Sequence, residues 1–484
     1  MGAVVNKSKV LSSLIWKLLE RSGSQGIQFI VQIILARLLL PKEYGIIAIV
    51  MVFVLLANVF VQSGFSTALI QKKEVDDVDF SSVFYVSLAV SGLLYGIIYL
   101  SAPFISSFYT QPLLVPVLRV LSLTLFMGAL NSIQNAYVAR YMLFKKLFFS
   151  SLGAVVISGI VGITAAYQGL GVWALVAQHL TNQLAIAVIL WFTVRWRPHW
   201  LFSLDRVKVL FAFANKLIAS ALIDSLYRDL SALIIAKMYA PSMLGFYNRG
   251  RQFPELIVAN INGSIQSVML PALSAHQDDK KRVKEMMRRA IVSSSFLIFP
   301  MMVGMAVVAK PLVMVLLTDK WLPAVPFLQI ACLTFALMPI HTANLQAINA
   351  MGRSDIFLRL EVIKKVYGLM ILGISLPFGV YAIALGQAIN SVISSFVNAY
   401  PNKKLLNYSY KEQVLDVMPA LLISALMGGM VYGLQLIDIR SWQLLMLQMG
   451  AGAVIYIGLA KVFKIESFAY LISTMQQLLT ERKS

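Results

Sequence analysis

The amino-acid sequence predicts an all-α polytopic membrane protein with about fourteen transmembrane helices. Two parallel-repeat six-helix lobes are expected around a central cavity, followed by two C-terminal helices. Composition is the first reason, because 59% of the 484 residues are hydrophobic and 13% are charged, with a mean hydropathy of +0.78. Soluble domains contain roughly 45–50% apolar and about 25% charged residues. The excess of apolar residues predicts an outer surface that faces lipid.

The length of the apolar runs sets the number of spans. A helix of about 20 apolar residues crosses the hydrocarbon core and satisfies its own backbone polar groups. Spans are predicted at 13–38, 44–70, 80–101, 114–138, 148–168, 171–193, 208–238, 244–272, 289–316, 324–350, 357–377, 380–400, 414–434 and 441–463. No small-residue cleavage pattern follows the first apolar run, which favours an uncleaved helix over a signal peptide. An amphipathic segment at 465–479 is expected to lie at the membrane interface.

The distribution of basic residues predicts the topology. The net charge is +20, but a nucleic-acid-binding domain would gather its basic residues on one folded face. Here Lys and Arg form short clusters between alternate apolar runs, such as KKRVK from Lys280, while the other loops hold little beyond Lys42, Lys237, Lys310, Lys320 and Arg440. Because cytoplasmic loops are enriched in Lys and Arg, both termini are predicted to be cytoplasmic, and no nucleic-acid partner is expected.

An internal repeat predicts the lobes. The segment ILARLLLPKEYG ends at Gly45 and IIAKMYAPSMLG ends at Gly245, while GLGVWAL and PFGVYAI align later with a similar offset. Six spans precede the second copy, so both copies cross the membrane in the same direction, as in transporters with parallel repeats. The predicted organisation is an N-lobe at 1–200, a C-lobe at 205–402, spans thirteen and fourteen at 403–464 and a cytoplasmic tail at 465–484.

Several kinds of chemistry are excluded or unsupported by the sequence. One cysteine, Cys332, excludes an internal disulfide and a cysteine-based metal site. The four histidines lack metal-ligand spacing, and there is no GK[ST] phosphate loop for ATP. No catalytic residue, metal or cofactor is therefore predicted, and the chain is not expected to be an enzyme. Coupling to H⁺ or Na⁺ stays open.

Several stretches carry a family resemblance: LLLPKEYGIIAIV, GFSTALIQKKEVDDVDF, GFYNRGRQFPELIVANINGSIQSVMLPALSAHQDD, WLPAVPFLQIACL and GVWAL. Through them the chain resembles the polysaccharide-exporter branch of the multidrug/oligosaccharidyl-lipid/polysaccharide flippase superfamily, most closely the Wzx-type colanic-acid or lipopolysaccharide exporters. The resemblance implies twelve core helices in two lobes plus two more, in the bacterial cytoplasmic (inner) membrane. It also implies export of undecaprenyl-pyrophosphate-linked oligosaccharide by alternating access for surface polysaccharide assembly, with membrane lipids and other assembly proteins as further partners.

Two other functions stay open. One is a cation-coupled multidrug exporter of the same superfamily, whose cavity would be less cationic. The other is a membrane polysaccharide polymerase or ligase, which would be expected to carry a large outer loop with catalytic Arg or His.

Ionisable groups inside the apolar runs are the candidate site residues, because each costs about 2.5–3.5 kcal/mol to insert at mid-bilayer and is retained for a reason. An Arg guanidinium offers a planar fork of donors that matches pyrophosphate oxygens. The predicted headgroup and cavity residues are Lys17, Arg21, Gln25, Gln28, Arg119, Arg228, Asn248, Arg249 and Arg251. Carboxylates whose pKa desolvation could raise are the predicted coupling groups: Asp224, Asp229 and Glu255.

The alternatives for these residues are structural. Arg21, Arg249 and Arg251 could extend along the helix so that their charges reach the interface. Asp224 and Arg228, four residues apart on one helical face, could form an ion pair that only stabilises the helix.

Overall fold

The computed structural model describes residues 7–481 and is helical throughout, with no β-strand among those residues. Nineteen α-helices run along the described chain. The first nine are α1 (Lys7–Leu38), α2 (Pro41–Asn58), α3 (Phe65–Gln71), α4 (Asp77–Tyr109), α5 (Leu114–Leu121), α6 (Thr124–Arg140), α7 (Phe144–Tyr167), α8 (Val172–Thr193) and α9 (Leu204–Met238). The others are α10 (Pro241–Ser274), α11 (Lys280–Val307), α12 (Ala309–Leu317), α13 (Val325–Ala336), α14 (Met338–Ala350), α15 (Ser354–Ser375), α16 (Val380–Leu406), α17 (Tyr410–Gly433), α18 (Ser441–Val462) and α19 (Glu466–Glu481).

Local sequence signals explain where several helices begin. Pro41 occupies the first position of α2, where a missing N–H costs nothing. Glu43 then accepts a hydrogen bond from the Leu40 backbone N–H at 2.6 Å. The Asp76 carboxylate accepts the Asp79 backbone N–H at 2.9 Å and caps α4. Ser409 and Glu412 form the corresponding capping box of α17.

Four predicted spans are each built from two helices. The span predicted at 44–70 is α2 and α3, joined by a five-residue π-helical segment, Val59–Ser63. Those predicted at 114–138, 289–316 and 324–350 are α5–α6, α11–α12 and α13–α14. Hydropathy registers only total apolar length, so it does not detect these interruptions.

The prediction of an all-α membrane protein is confirmed. Among the described residues, twelve helical segments are long and apolar enough to cross a membrane. The predicted first and eleventh spans correspond to α1 and α15, which have sufficient length but are more polar. The five charged residues of α15 are spread through its sequence, SDIFLRLEVIKKVYGLMILGIS. The predicted interfacial segment at 465–479 corresponds to α19.

The chain divides into two compact units, Met1–Gly245 and Phe246–Ser484. In the first unit, α9 packs against α2, α3 and α4, although the repeat predicts that it begins the C-lobe. In the second unit, α11 packs against α13, α14 and α17 around an apolar core that includes Met287, Ile291 and Val417. The repeat-based boundaries at 200–205 and 402–403 stay a prediction.

Candidate functional site

A polar cavity of about 740 Å³ lies within the second unit. Helices α10, α13, α14, α15 and α16 line it. Its polar lining comprises Arg251, Asn262, Gln266, Thr334, His341, Thr342, Gln346, Asn349, Lys364, Gln387, Asn390, Ser391, Ser394 and Asn398. Four of these five helices, all but α15, belong to segments that are apolar enough to span a membrane. A polar cavity is therefore lined by helices most of which are apolar enough to lie in a membrane.

Two positive charges face this cavity. The Arg251 guanidinium donates to the Tyr247 hydroxyl at 2.7 Å and lies 5.9 Å from the centre of the Phe335 ring. The Lys364 side chain is 15% exposed, and its ammonium donates to Glu361 at 2.5 Å. No Asp or Glu belongs to the described lining. The chamber is consequently suited to an anion.

Four amide oxygens around the cavity lack a hydrogen-bond donor in the part of the chain that the structure describes: those of Asn262, Gln346, Asn390 and Asn398. Leaving a buried acceptor unsatisfied costs about 1–3 kcal/mol. Such groups in a native structure call for a partner, and in a cavity of this size the partner can be water or a ligand. A hydroxyl-rich ligand such as a sugar would supply the missing donors.

A hydrogen-bond network joins α13, α14 and α16 on one side of the cavity. His341 Nδ1 lies 3.1 Å from the Asn398 amide nitrogen, and its Nε2 lies 3.2 Å from Ser391 Oγ. Ser391 in turn donates to the Thr334 carbonyl oxygen at 2.8 Å. The Tyr367 hydroxyl lies 2.6 Å from the Ser394 hydroxyl on α16 and connects α15 to the same wall.

Comparison with known proteins shows the family. Residues 34–326, more than half of the chain, match a family model described as "Polysaccharide biosynthesis protein". The chain belongs to this polysaccharide biosynthesis family. The resemblance to polysaccharide exporters that the sequence motifs indicated is thus confirmed.

Curated members of the polysaccharide biosynthesis group are similar over most of their length. Teichuronic acid biosynthesis protein TuaB of Bacillus subtilis is 24% identical over 83% of this chain and 84% of its own. Lipopolysaccharide biosynthesis protein WzxC of Escherichia coli is 23% identical, over 88% and 89% respectively. Succinoglycan biosynthesis transport protein ExoT of Rhizobium meliloti is also 23% identical, over 76% and 74%.

A solved structure has the same fold. Lipid II flippase MurJ, in an inward closed conformation, superposes with a TM-score of 0.76 over 93% of this chain and 98% of its own, at 15% sequence identity. This likeness concerns the arrangement of helices in a polytopic membrane transporter.

The predicted arginines of α10 lie in different surroundings. Arg251 lines the cavity, and its role in headgroup binding stays a prediction. Arg249 is absent from that lining; it is 5% exposed, donates to Gln252 at 2.6 Å, and lies 5.3 Å from the Trp321 ring centre. Its burial does not fit the interpretation in which the charge extends to the interface. Asn248 is half-buried and Glu255 is exposed, and neither lines the cavity.

The predicted residues of α4–α9 do not line this cavity either. Arg119 lies with its guanidinium 4.0 Å from the Tyr99 ring centre. Arg228 is 65% exposed and its Nε lies 3.8 Å from Asp229. Asp224 is exposed on the same helix. Their predicted roles in headgroup binding and coupling stay predictions.

The residues predicted in α1 are described in part. Lys17 is exposed, with its ammonium 5.4 Å from the Phe144 ring centre. Gln25 is exposed and Gln28 is half-buried. The side chain of Arg21 lies outside the described residues.

Sequence reasoning missed the contributions of α14, α15 and α16. Lys364 lies in an apolar run for which the sequence predicts only a transmembrane span. Glu361, three residues earlier, forms a charged pair with it inside that run. The spacing of the four histidines argues against a metal site and indicates no other role for His341. The signal that could have found the site is the density of amides in QAINA of α14 and GQAIN of α16, which is unusual for helices inside a membrane.

Proposed function

We propose that this protein is a flippase that exports undecaprenyl-pyrophosphate-linked oligosaccharide across the bacterial cytoplasmic membrane by alternating access, for surface polysaccharide assembly. The observation that carries the proposal is the cavity of the second unit, in which two cations and several amides face one chamber. Arg251 and Lys364 would bind the pyrophosphate through charge-assisted hydrogen bonds. The amide side chains would exchange hydrogen bonds with sugar hydroxyls.

The names of the relatives support the same substrate class. TuaB, WzxC and ExoT are named for the biosynthesis or transport of polysaccharides, and MurJ is named as a lipid flippase. A polyprenyl tail is as apolar as the bilayer, so it can remain in lipid while the polar headgroup crosses through protein. Other polysaccharide-assembly proteins as partners stay a prediction.

The cavity chemistry separates this function from the alternatives. An exporter of cationic drugs would need carboxylates to bind its cargo, and the described lining contains none. A polymerase or ligase would need a catalytic acid, base or nucleophile beside the bound sugar. The described lining offers amides, hydroxyls, two cations and one histidine, and it contains no carboxylate or cysteine.

The test is translocation of a fluorescent undecaprenyl-pyrophosphate oligosaccharide in proteoliposomes, followed as its appearance in the opposite leaflet. The variants are Arg251→Gln and Lys364→Gln. The matched control is Lys208→Gln, a lysine whose side chain is 68% exposed. Each lost charge-assisted hydrogen bond is worth about 1.5–3 kcal/mol, so we expect roughly ten- to hundredfold weaker transport in the cavity variants.

Normal transport in both cavity variants would show that the headgroup binds elsewhere. Absence of transport by folded wild-type protein, with export of a cationic dye instead, would replace the flippase by a multidrug exporter.

A further inference from the structure

The hydrogen bonds around His341 fit a neutral ring in the side-chain orientations that the structure shows. An amide nitrogen can only donate, so the Asn398 Nδ2 group at 3.1 Å requires an unprotonated Nδ1 on His341. Ser391 Oγ gives its own proton to Thr334 and can therefore accept one from His341 Nε2. In this arrangement the ring is neutral, with its proton on Nε2 and a lone pair on Nδ1.

The Asn398 amide can serve the other protonation state as well. Asn398 is 1% exposed, and its Oδ1 has no hydrogen-bond donor among the described residues. Rotating the amide by half a turn would point Oδ1 at His341 Nδ1, where it could accept a proton from an imidazolium. The pair therefore has two alternative arrangements, one for neutral and one for protonated His341, with the same heavy-atom positions.

The charges that face His341 decide between these arrangements. Lys364 on α15 and Arg251 on α10 line the same cavity as His341. Glu361 accepts from Lys364. On the other packed elements, α13 contributes the buried Cys332, α16 contributes no ionisable group to the lining, and the charged residues of α11 lie in its first three turns.

The positive charges of Arg251 and Lys364 in the lining oppose a further positive charge on His341. An anion bound by Arg251 and Lys364 reverses this effect, because it offsets both of their charges and attracts a positive charge on His341. Binding of an anion and binding of a proton then favour each other. By linkage, the anion raises the proton affinity by the same factor as the proton raises the anion affinity.

We propose that His341 is a proton-binding residue of the cavity, which takes up one proton from water on Nδ1 when a phosphate-bearing ligand binds and returns it to water when that ligand leaves. This inference rests on the proposed function, because it uses the same site and the same anionic ligand. Asn398 is the positioning residue that accommodates both states. Export of the anionic lipid would thereby move a proton in step with each cargo molecule.

The experiment measures protons taken up per ligand bound. Full-length protein in detergent is titrated with glucosyl diphosphate farnesol, a disubstituted diphosphate that does not itself titrate near neutral pH. Calorimetry in buffers of different ionisation enthalpy gives the proton number at about pH 7, close to the ordinary pKa of histidine. The variants are His341→Gln and His341→Asn, and the control is His276→Gln in the turn that follows α10.

For wild type and His276→Gln we expect net uptake approaching one proton per ligand, and affinity that rises about ten- to hundredfold from about pH 8 to about pH 6. Both His341 variants should bind the ligand with no proton uptake and an affinity that is independent of pH. Because the titration measures binding directly, a variant that fails to fold is recognised by its lack of binding. The other His341 variant then tests whether proton uptake depends on the imidazole.

Wild-type binding without proton uptake, or uptake that persists in a folded His341 variant, would overturn the inference while leaving the proposed function intact. Absence of ligand binding by wild type would overturn both.

Discussion

Gly45 and Gly245 align in the predicted repeat, and each lies against the backbone at the start of the other's helix. A Cβ on Gly45 would lie 1.8 Å from the Pro241 carbonyl oxygen, and a Cβ on Gly245 would lie 2.2 Å from the Pro41 carbonyl oxygen. Both glycines belong to the first unit. The first turns of α2 and α10 therefore approach so closely that neither position has room for a side chain.

This close approach predicts that Gly45→Ala and Gly245→Ala destabilise the protein. Atoms at such distances must separate, and the obstacle is backbone, which cannot move aside as a flexible side chain would. We expect a loss of about 1–3 kcal/mol for either substitution, measured as the midpoint of thermal unfolding in detergent. The control is Gly429→Ala in α17, where a Cβ meets nothing within 4 Å; it should be neutral or stabilising by up to about 1 kcal/mol. Equal midpoints of thermal unfolding for all three variants would argue against the close approach of α2 and α10.

The motif QKKEVDDVDF predicts a second stability effect, at Asp79. This carboxylate is 0% exposed, accepts from the Lys72 ammonium at 2.6 Å and lies 3.5 Å from Arg206. Asp79→Asn would leave the partly buried Lys72 without its counter-charge. Because removing one partner of a buried pair costs about 3–5 kcal/mol and Lys72 is 25% exposed, we expect a loss of roughly 2 kcal/mol or more.

Asp205→Asn is the control for this measurement, since Asp205 is 93% exposed and a change there should stay within about 0.5 kcal/mol. Similar urea or thermal unfolding of both variants would mean that the Asp79 network is not part of the stabilising core.

The attachment of α19 is predicted to depend on acid pH. Arg288 donates to both Glu466 oxygens at 3.1 and 2.9 Å and to Asp416 at 2.9 Å. The hydrogen bond from Arg288 holds the pKa of Glu466 below its ordinary value of 4.5. The ion pair therefore contributes fully above about pH 4.5 and is lost as the pH falls through the lower folded-state pKa.

Hydrogen exchange of α19 measures this attachment. In wild type we expect the protection of α19 to be constant at neutral pH and to fall below pH 4.5. Glu466→Gln should show the weaker protection already at neutral pH, while the exposed Glu285→Gln should behave as wild type. Acid-independent protection in wild type would indicate that apolar contacts, such as that between Phe468 and Phe296, hold α19 alone.

The distribution of Lys and Arg between the loops predicts the side of the membrane on which each terminus lies. Reporter fusions after residues 200 and 481 should both show cytoplasmic location, and a fusion after residue 239, between α9 and α10, should show the opposite side. Fluorescent and phosphatase reporters give complementary signals for the two sides. Opposite locations for the first two fusions would require an odd number of crossings between them and would contradict the predicted even number.

Local sequence alone determined most of the helices. A run of about 20 apolar residues has no stable form in lipid other than a helix or a closed barrel, so runs such as Val172–Thr193 and Ser441–Val462 appear at the predicted places. Pro41 and Asp76 also mark helix starts through their own backbone chemistry. The interruptions at Val59–Ser63 and near Ser122 were not predictable in this way, because a break inside an apolar run leaves hydropathy unchanged.

The candidate site shows what only the tertiary structure decided. Arg249 and Arg251 are two residues apart, and a helix turns by about 200° over that distance, so the sequence places them on different faces of α10. It cannot say which face lines a cavity, because that depends on where α13–α16 pack. The structure puts Arg251, Lys364 and His341 in the lining of one cavity and puts Arg249 beside Trp321. Charge and helix length are properties of the local chain, whereas a binding site is formed by distant segments that only packing brings together.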